Sequence, residues 1–156
     1  MKALLTYGGN EPDLLANLIR QGLKGYAANV EQLGGMTTLW CFLCDGSVLR
    51  IDSAMTDVSG WLEVGTLAFE LVTDGDGVPV MIPLPKAWGH ISSLNKLVLE
   101  EPEFSSESGL IIKAESGDEL IVVCGAEVYT VQILAPFFLG TFQPEYEIER
   151  YKALPL

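Results

Sequence analysis

The chain has 156 residues, 49% of them hydrophobic and 19% charged, a balance that fits one folded domain and excludes disorder. Twenty-one acids against nine bases leave a net charge of −12, so there is no basic stripe to neutralise phosphates, and nucleic acid is excluded as a partner. Residues 2–7 hold no apolar h-region of a signal peptide, and no run approaches the roughly 18 apolar residues of a membrane span.

In chain order, residues 1–7 read as a short strand or lead-in, broken by Gly8 and Gly9. Asn10-Glu11-Pro12-Asp13 is a helix start: Asn10 can cap, Pro12 suits the first turn, and the two acids favour the positive end of the dipole. Leu14, Leu15, Leu18, Ile19 and Leu23 then recur at helical spacing, which predicts an amphipathic helix with Leu15, Leu18 and Ile19 in the core. Gly22 and Gly25 end it. Residues 26–35, with Gly34-Gly35, read as a linker.

Strands follow. Segments 36–44 and 47–53 flank Asp45-Gly46, the strongest hairpin signal in the chain. Residues 54–60 read as a connection or a helical turn, and 61–73 as a strand that turns at Asp74-Gly75-Asp76-Gly77 into 78–84. Pro79, Pro83 and Pro85 push this last segment to a sheet edge. Residues 91–99 fit either a strand or a helix, whereas 110–115, 120–124 and 127–134 predict a meander. Residues 145–151 alternate at the strand period. On such a strand Glu145, Glu147 and Glu149 project to one side, while Tyr146, Ile148 and Arg150 project to the other. The expected fold is α+β, a single domain over residues 1–156. Its N-terminal amphipathic helix packs on a mainly antiparallel sheet of seven to nine strands, as one layer or a partly closed barrel.

No motif names a chemistry. Trp40-Cys41-Phe42-Leu43-Cys44 has the spacing of a redox pair, but such chemistry needs the first cysteine at a helix N-terminus. Residues three apart on a strand face opposite sides, so Cys41 and Cys44 are expected to stay reduced. With Cys124 they make an odd number, which fits a reducing cytoplasm. These thiols and the single His90 do not make a zinc set. From Asp74, the calcium-loop positions five, six and twelve fall on Val78, Pro79 and Pro85, which fails. His90 has no nucleophile elbow to serve. No cofactor, metal or catalytic residue is therefore expected.

The charge is uneven: residues 100–156 carry 11 acids against 3 bases, while residues 1–53 carry 5 against 4. This profile, small, acidic and without motifs, is similar in kind to toxin-neutralising immunity proteins. That implies a non-enzymatic cytoplasmic protein that occludes a basic protein partner, with Glu145, Glu147, Glu149, Tyr146 and Tyr151 as the docking residues. The competing readings are a β-rich domain that holds a small molecule or peptide, with Trp40, Trp61 and Trp88 as wall residues, and an enzyme with an unrecognised acidic site. Oligomeric state is left open.

Overall fold

The computed structural model describes residues 2–9, 11–30, 36–60, 62–72 and 77–156. The expected Asn10 cap, the Gly34-Gly35 break, Trp61 and the turn residues Asp74 to Asp76 lie outside them. The elements in chain order are β1 (Ala3–Leu5), β2 (Gly8–Gly9), α1 (Glu11–Gln21), β3 (Leu23–Val30), β4 (Met36–Leu43), β5 (Val48–Ser59), β6 (Leu62–Val72), β7 (Ile82–Pro83), β8 (Ile91–Glu100), β9 (Phe104–Ala114), β10 (Glu119–Cys124), β11 (Val131–Leu134) and β12 (Tyr151–Pro155). Short 3-10 turns occupy Lys86–Gly89 and Ile148–Arg150.

The strands form two sheets rather than one. The first runs β11-β10-β9-β8-β12, with β1 parallel to the start of β9. The second runs β2-β6-β5-β4-β3-β7. Both are mainly antiparallel, and among the described residues no backbone ladder joins them into a barrel. Residues 3–9 pass from one sheet to the other, pairing with β9 through Ala3 to Leu5 and with β6 through Gly8 and Gly9.

Alternation on the strands builds the core. Leu39, Cys41, Leu43, Leu49, Ile51, Leu67 and Phe69 from the second sheet meet Leu110, Ile112, Leu120, Val122, Val131 and Ile133 from the first. Leu15 and Leu18 of α1 join this cluster, Leu18 with none of its surface exposed. Ile19 does not: it is 42% exposed, so the helix turns inward the side that carries Leu15 and Leu18. β4 is buried on both faces, because Trp40 and Phe42 point outward into a satellite cluster with Val48, covered by Val72, Val78 and Met81.

Several expectations need correction. Residues 26–30 of the expected 26–35 linker belong to strand β3, which begins at Leu23, and β5 continues through Ser59 where a connection was expected. Residues 78–84 contribute only the two-residue β7, at the sheet edge. Residues 91–100 are strand. The tail departs most: residues 145–150 are not a strand, and β12 begins only at Tyr151 and pairs with β8 over five positions.

Candidate functional site

The structure separates the five acidic and aromatic tail residues instead of aligning them. The Pro144 backbone bridges to Gly125, and the Glu145 N–H donates to the Cys124 carbonyl at 2.9 Å, which turns the Glu145 side chain inward. Its Oε1 accepts from the Gly65 N–H at 3.3 Å. Ser108 Oγ donates to the Gly65 carbonyl at 2.6 Å and lies 2.7 Å from Ser106 Oγ. Side chains of the first sheet and the tail thus satisfy both outward backbone groups of Gly65 on β6. The sheets approach so closely here that a Cβ at Gly65 would stand 2.9 Å from the Cys124 Cβ and sulfur. Burial pushes the Glu145 carboxyl up to about 7, with the Gly65 N–H opposing the shift. Burial likewise pushes the Cys124 thiol up to about 12. Tyr151 is buried and its hydroxyl accepts from the Tyr146 N–H, so only Glu147 and Glu149 stay exposed as expected.

Tyr146 instead enters a cleft of about 210 Å³ with Leu62, Glu101, Pro102, Glu103 and Phe104. Its floor is apolar and its rim carries two carboxylates. The Arg150 guanidinium lies over the Tyr146 ring, 4.9 Å from its centre, and pairs with Glu101. The same end of the molecule holds Asp57 and Glu63, which face each other across the β5–β6 ladder as exposed like charges. Other acids of the last third are already neutralised: Glu100 by Lys2 at 2.6 Å, and Glu107 by Lys96. Glu100 and the Lys96–Glu107 pair line a third groove with Leu4 and Leu154, where both carboxylates are matched.

A second cleft has the opposite sign. Lys24, Lys86, His90 and Cys44 line a volume of about 350 Å³ over a floor that includes Leu23, Leu84 and Pro85. Among the described residues no carboxylate lines it. Backbone hydrogen bonds fix its walls. The Cys44 N–H donates to the Gly22 carbonyl at 3.1 Å, the Leu84 N–H to the Lys24 carbonyl at 3.0 Å, and the Glu115 N–H to the His90 carbonyl at 2.8 Å. Gly22 has φ +73°, and a Cβ there would lie 2.1 Å from the Gly89 carbonyl oxygen, so this junction admits only glycine. Cys44 is an exposed free thiol, whereas Cys41 is buried and its thiol is pushed up to about 12.

Of the three tryptophans expected as wall residues, Trp61 lies outside the described residues, and neither Trp40 nor Trp88 lines the two clefts above. Trp88 is 2% exposed in the core, edge-on to Phe137 at 5.4 Å, and Trp40 sits in the satellite cluster. Among the described residues no group of three or more His, Cys, Asp or Glu could hold a metal ion, and no helix is long and apolar enough to cross a membrane. No protein-family model, curated protein or solved structure matches this chain.

Sequence reasoning missed both clefts, because each collects residues far apart in the chain. The one available signal was the four-residue spacing of Tyr146 and Arg150, where alternation obscured the cation–π contact.

Proposed function

We propose that this chain is a non-enzymatic binding protein that occludes a basic protein partner, in the manner of an immunity-type inhibitor, and that the docking point is the Tyr146 cleft. The observation that carries the reading is Arg150. Its guanidinium, stacked on Tyr146 and paired with Glu101, is an internal precedent that supports a partner's Lys or Arg as occupant. Glu103 on the same rim, with exposed Glu147 and Glu149 nearby in sequence, offers further carboxylates for a partner's Lys or Arg. Exposed acids of one sign at a cleft steer a basic surface and act chiefly on the association rate.

The test uses Glu103→Lys with Glu147→Lys, both at exposed positions, so the fold should survive. Glu145 is left untouched because its carboxyl is part of the sheet junction. Against a basic partner recovered from a cytoplasmic extract, the double variant should associate about tenfold more slowly and with a weaker salt dependence, as rim charges do. Equal on-rates and equal salt slopes, with an unchanged melting temperature, would remove the docking role from this cleft.

A further inference from the structure

We infer that the cleft between β3, the Cys44 turn and residues 84–90 is a binding site for a small organic anion, a carboxylate or phosphate joined to an apolar body. Charge is the first argument. In a chain of net −12, five exposed positions among the described residues converge here, of which two are lysines, one is the only histidine and none carries a carboxylate. Lys24 and Lys86 form no ion pair among the described residues, whereas Lys2, Arg50, Lys96 and Arg150 each have a carboxylate partner. The nearest acid in sequence, Asp45, is engaged by the N–H and hydroxyl of Ser47 in its own turn. Two ammonium groups and an imidazole with no counter-ion are a set that an anion would complete.

Shape is the second argument. The floor of Leu23, Leu84 and Pro85 is apolar, so a bare inorganic ion would leave it uncovered, while an organic body would cover it. The third is rigidity. The walls are tied by the Cys44–Gly22, Leu84–Lys24 and Glu115–His90 backbone hydrogen bonds and by the glycine-only contact of Gly22 with Gly89, so the groups are held before a ligand arrives. The site is separate from the Tyr146 cleft and stands or falls independently of it.

Cys44 supplies a native reporter, since it lies in the cleft and the other two thiols are buried. Its thiolate attacks one sulfur of an aromatic disulfide. The S–S bond breaks, a mixed disulfide forms on Cys44, and the aromatic thiolate leaves and is read by absorbance. The rate with the dianionic bis(nitrobenzoate) disulfide is compared with that of the neutral dipyridyl disulfide, each divided by its rate with N-acetylcysteine amide. Net charge alone dictates that the anionic reagent is the slower on this protein. A local anion site reverses the order. Lys24→Gln with Lys86→Gln should lower the anionic rate about five- to tenfold, as removal of two nearby charges does, and leave the neutral rate unchanged. Lys113→Gln with Lys152→Gln removes the same charge from exposed lysines outside the cleft and should change neither. Benzoate should protect Cys44 at concentrations where acetate and inorganic phosphate do not. An anionic reagent slower than the neutral one, or the same loss in both double variants, would overturn the inference. So would acetate or phosphate protecting as well as benzoate, because the apolar floor would then have no role.

Discussion

Glu145 makes the stability of this protein depend on pH in a direction opposite to that of most carboxylates. Its carboxyl, ordinarily near 4.5, is raised to about 7 because burial between Cys124 and Gly65 disfavours the charge more than the Gly65 N–H favours it. A raised value means that the folded state binds the proton more tightly than the unfolded chain. The stability linked to that proton is complete below about 4.5 and is lost as pH rises through about 7. For a fully buried group a rise from about 4.5 to about 7 would correspond to roughly 3 kcal/mol. Because solvent still reaches part of the side chain, a net effect of about 1–3 kcal/mol is expected. Glu145→Gln keeps an oxygen for the Gly65 N–H and removes the charge. Urea denaturation at pH 5, 6, 7 and 8 should show wild type losing about 1–3 kcal/mol between pH 5 and pH 8. The glutamine variant should be flat and should exceed wild type at pH 8. Asp45 and Glu100 are held below the usual carboxylate range, by Ser47 and by Lys2 respectively, so they titrate outside this window. A wild type equally stable at both ends, or a variant with the same slope, would refute the buried carboxylate.

Three further outcomes follow from packing. Leu18→Ala should cost about 2–5 kcal/mol by chemical denaturation because Leu18 is fully enclosed, while Ile19→Ala, on the exposed side of α1, should stay within about 0.5 kcal/mol; comparable losses would place the wrong side of α1 inward. Gly22→Ala combines a left-handed backbone with a Cβ 2.1 Å from the Gly89 oxygen; it should lower the melting temperature by roughly 10 °C or more, as losses of several kcal/mol do in a domain of this size, and normal melting would remove the junction argument. Thiol titration of unreduced protein should find one reactive group in the native state, Cys44, and three after denaturation; fewer than three would mean a disulfide.

What the sequence revealed of the fold depended on whether a local pattern had a single structural meaning. The Asp45-Gly46 turn does: the Gly46 N–H returns to the Leu43 carbonyl, and Gly46, with φ +92°, is the left-handed glycine that closes a three-residue hairpin loop. The leucines of α1 gave its existence and most of its inward side, but a wheel that includes Ile19 is wider than the contact the two sheets offer. Gly25 misled because glycine marks close approach as well as turns: a Cβ there would lie 2.3 Å from Met81 Cγ, where residues 81–82 cross β3.

The tail shows why alternation is insufficient. A strand needs a ladder partner, and β12 takes the edge of β8 from Tyr151 onward. Upstream, the backbone finds other acceptors, Glu145 N–H at the Cys124 carbonyl and Tyr146 N–H at the Tyr151 hydroxyl, so 145–150 follow those contacts and abandon the period of two. Charge counting fails for a related reason. It weights every carboxylate equally, whereas Glu100, Glu101 and Glu107 are each matched by a base and Glu145 is raised to about 7. The acids left to act on a partner are fewer than the 11 in the last third. Meanwhile Lys24 and Lys86, which the sum counts only as partial compensation, remain unpaired among the described residues and share one cleft. The functional content of the charge therefore lies in which groups folding leaves without a partner. Among the described residues, Glu103 at the Tyr146 cleft and Lys24 and Lys86 at the Cys44 cleft are such groups, each suited to a partner of the opposite sign.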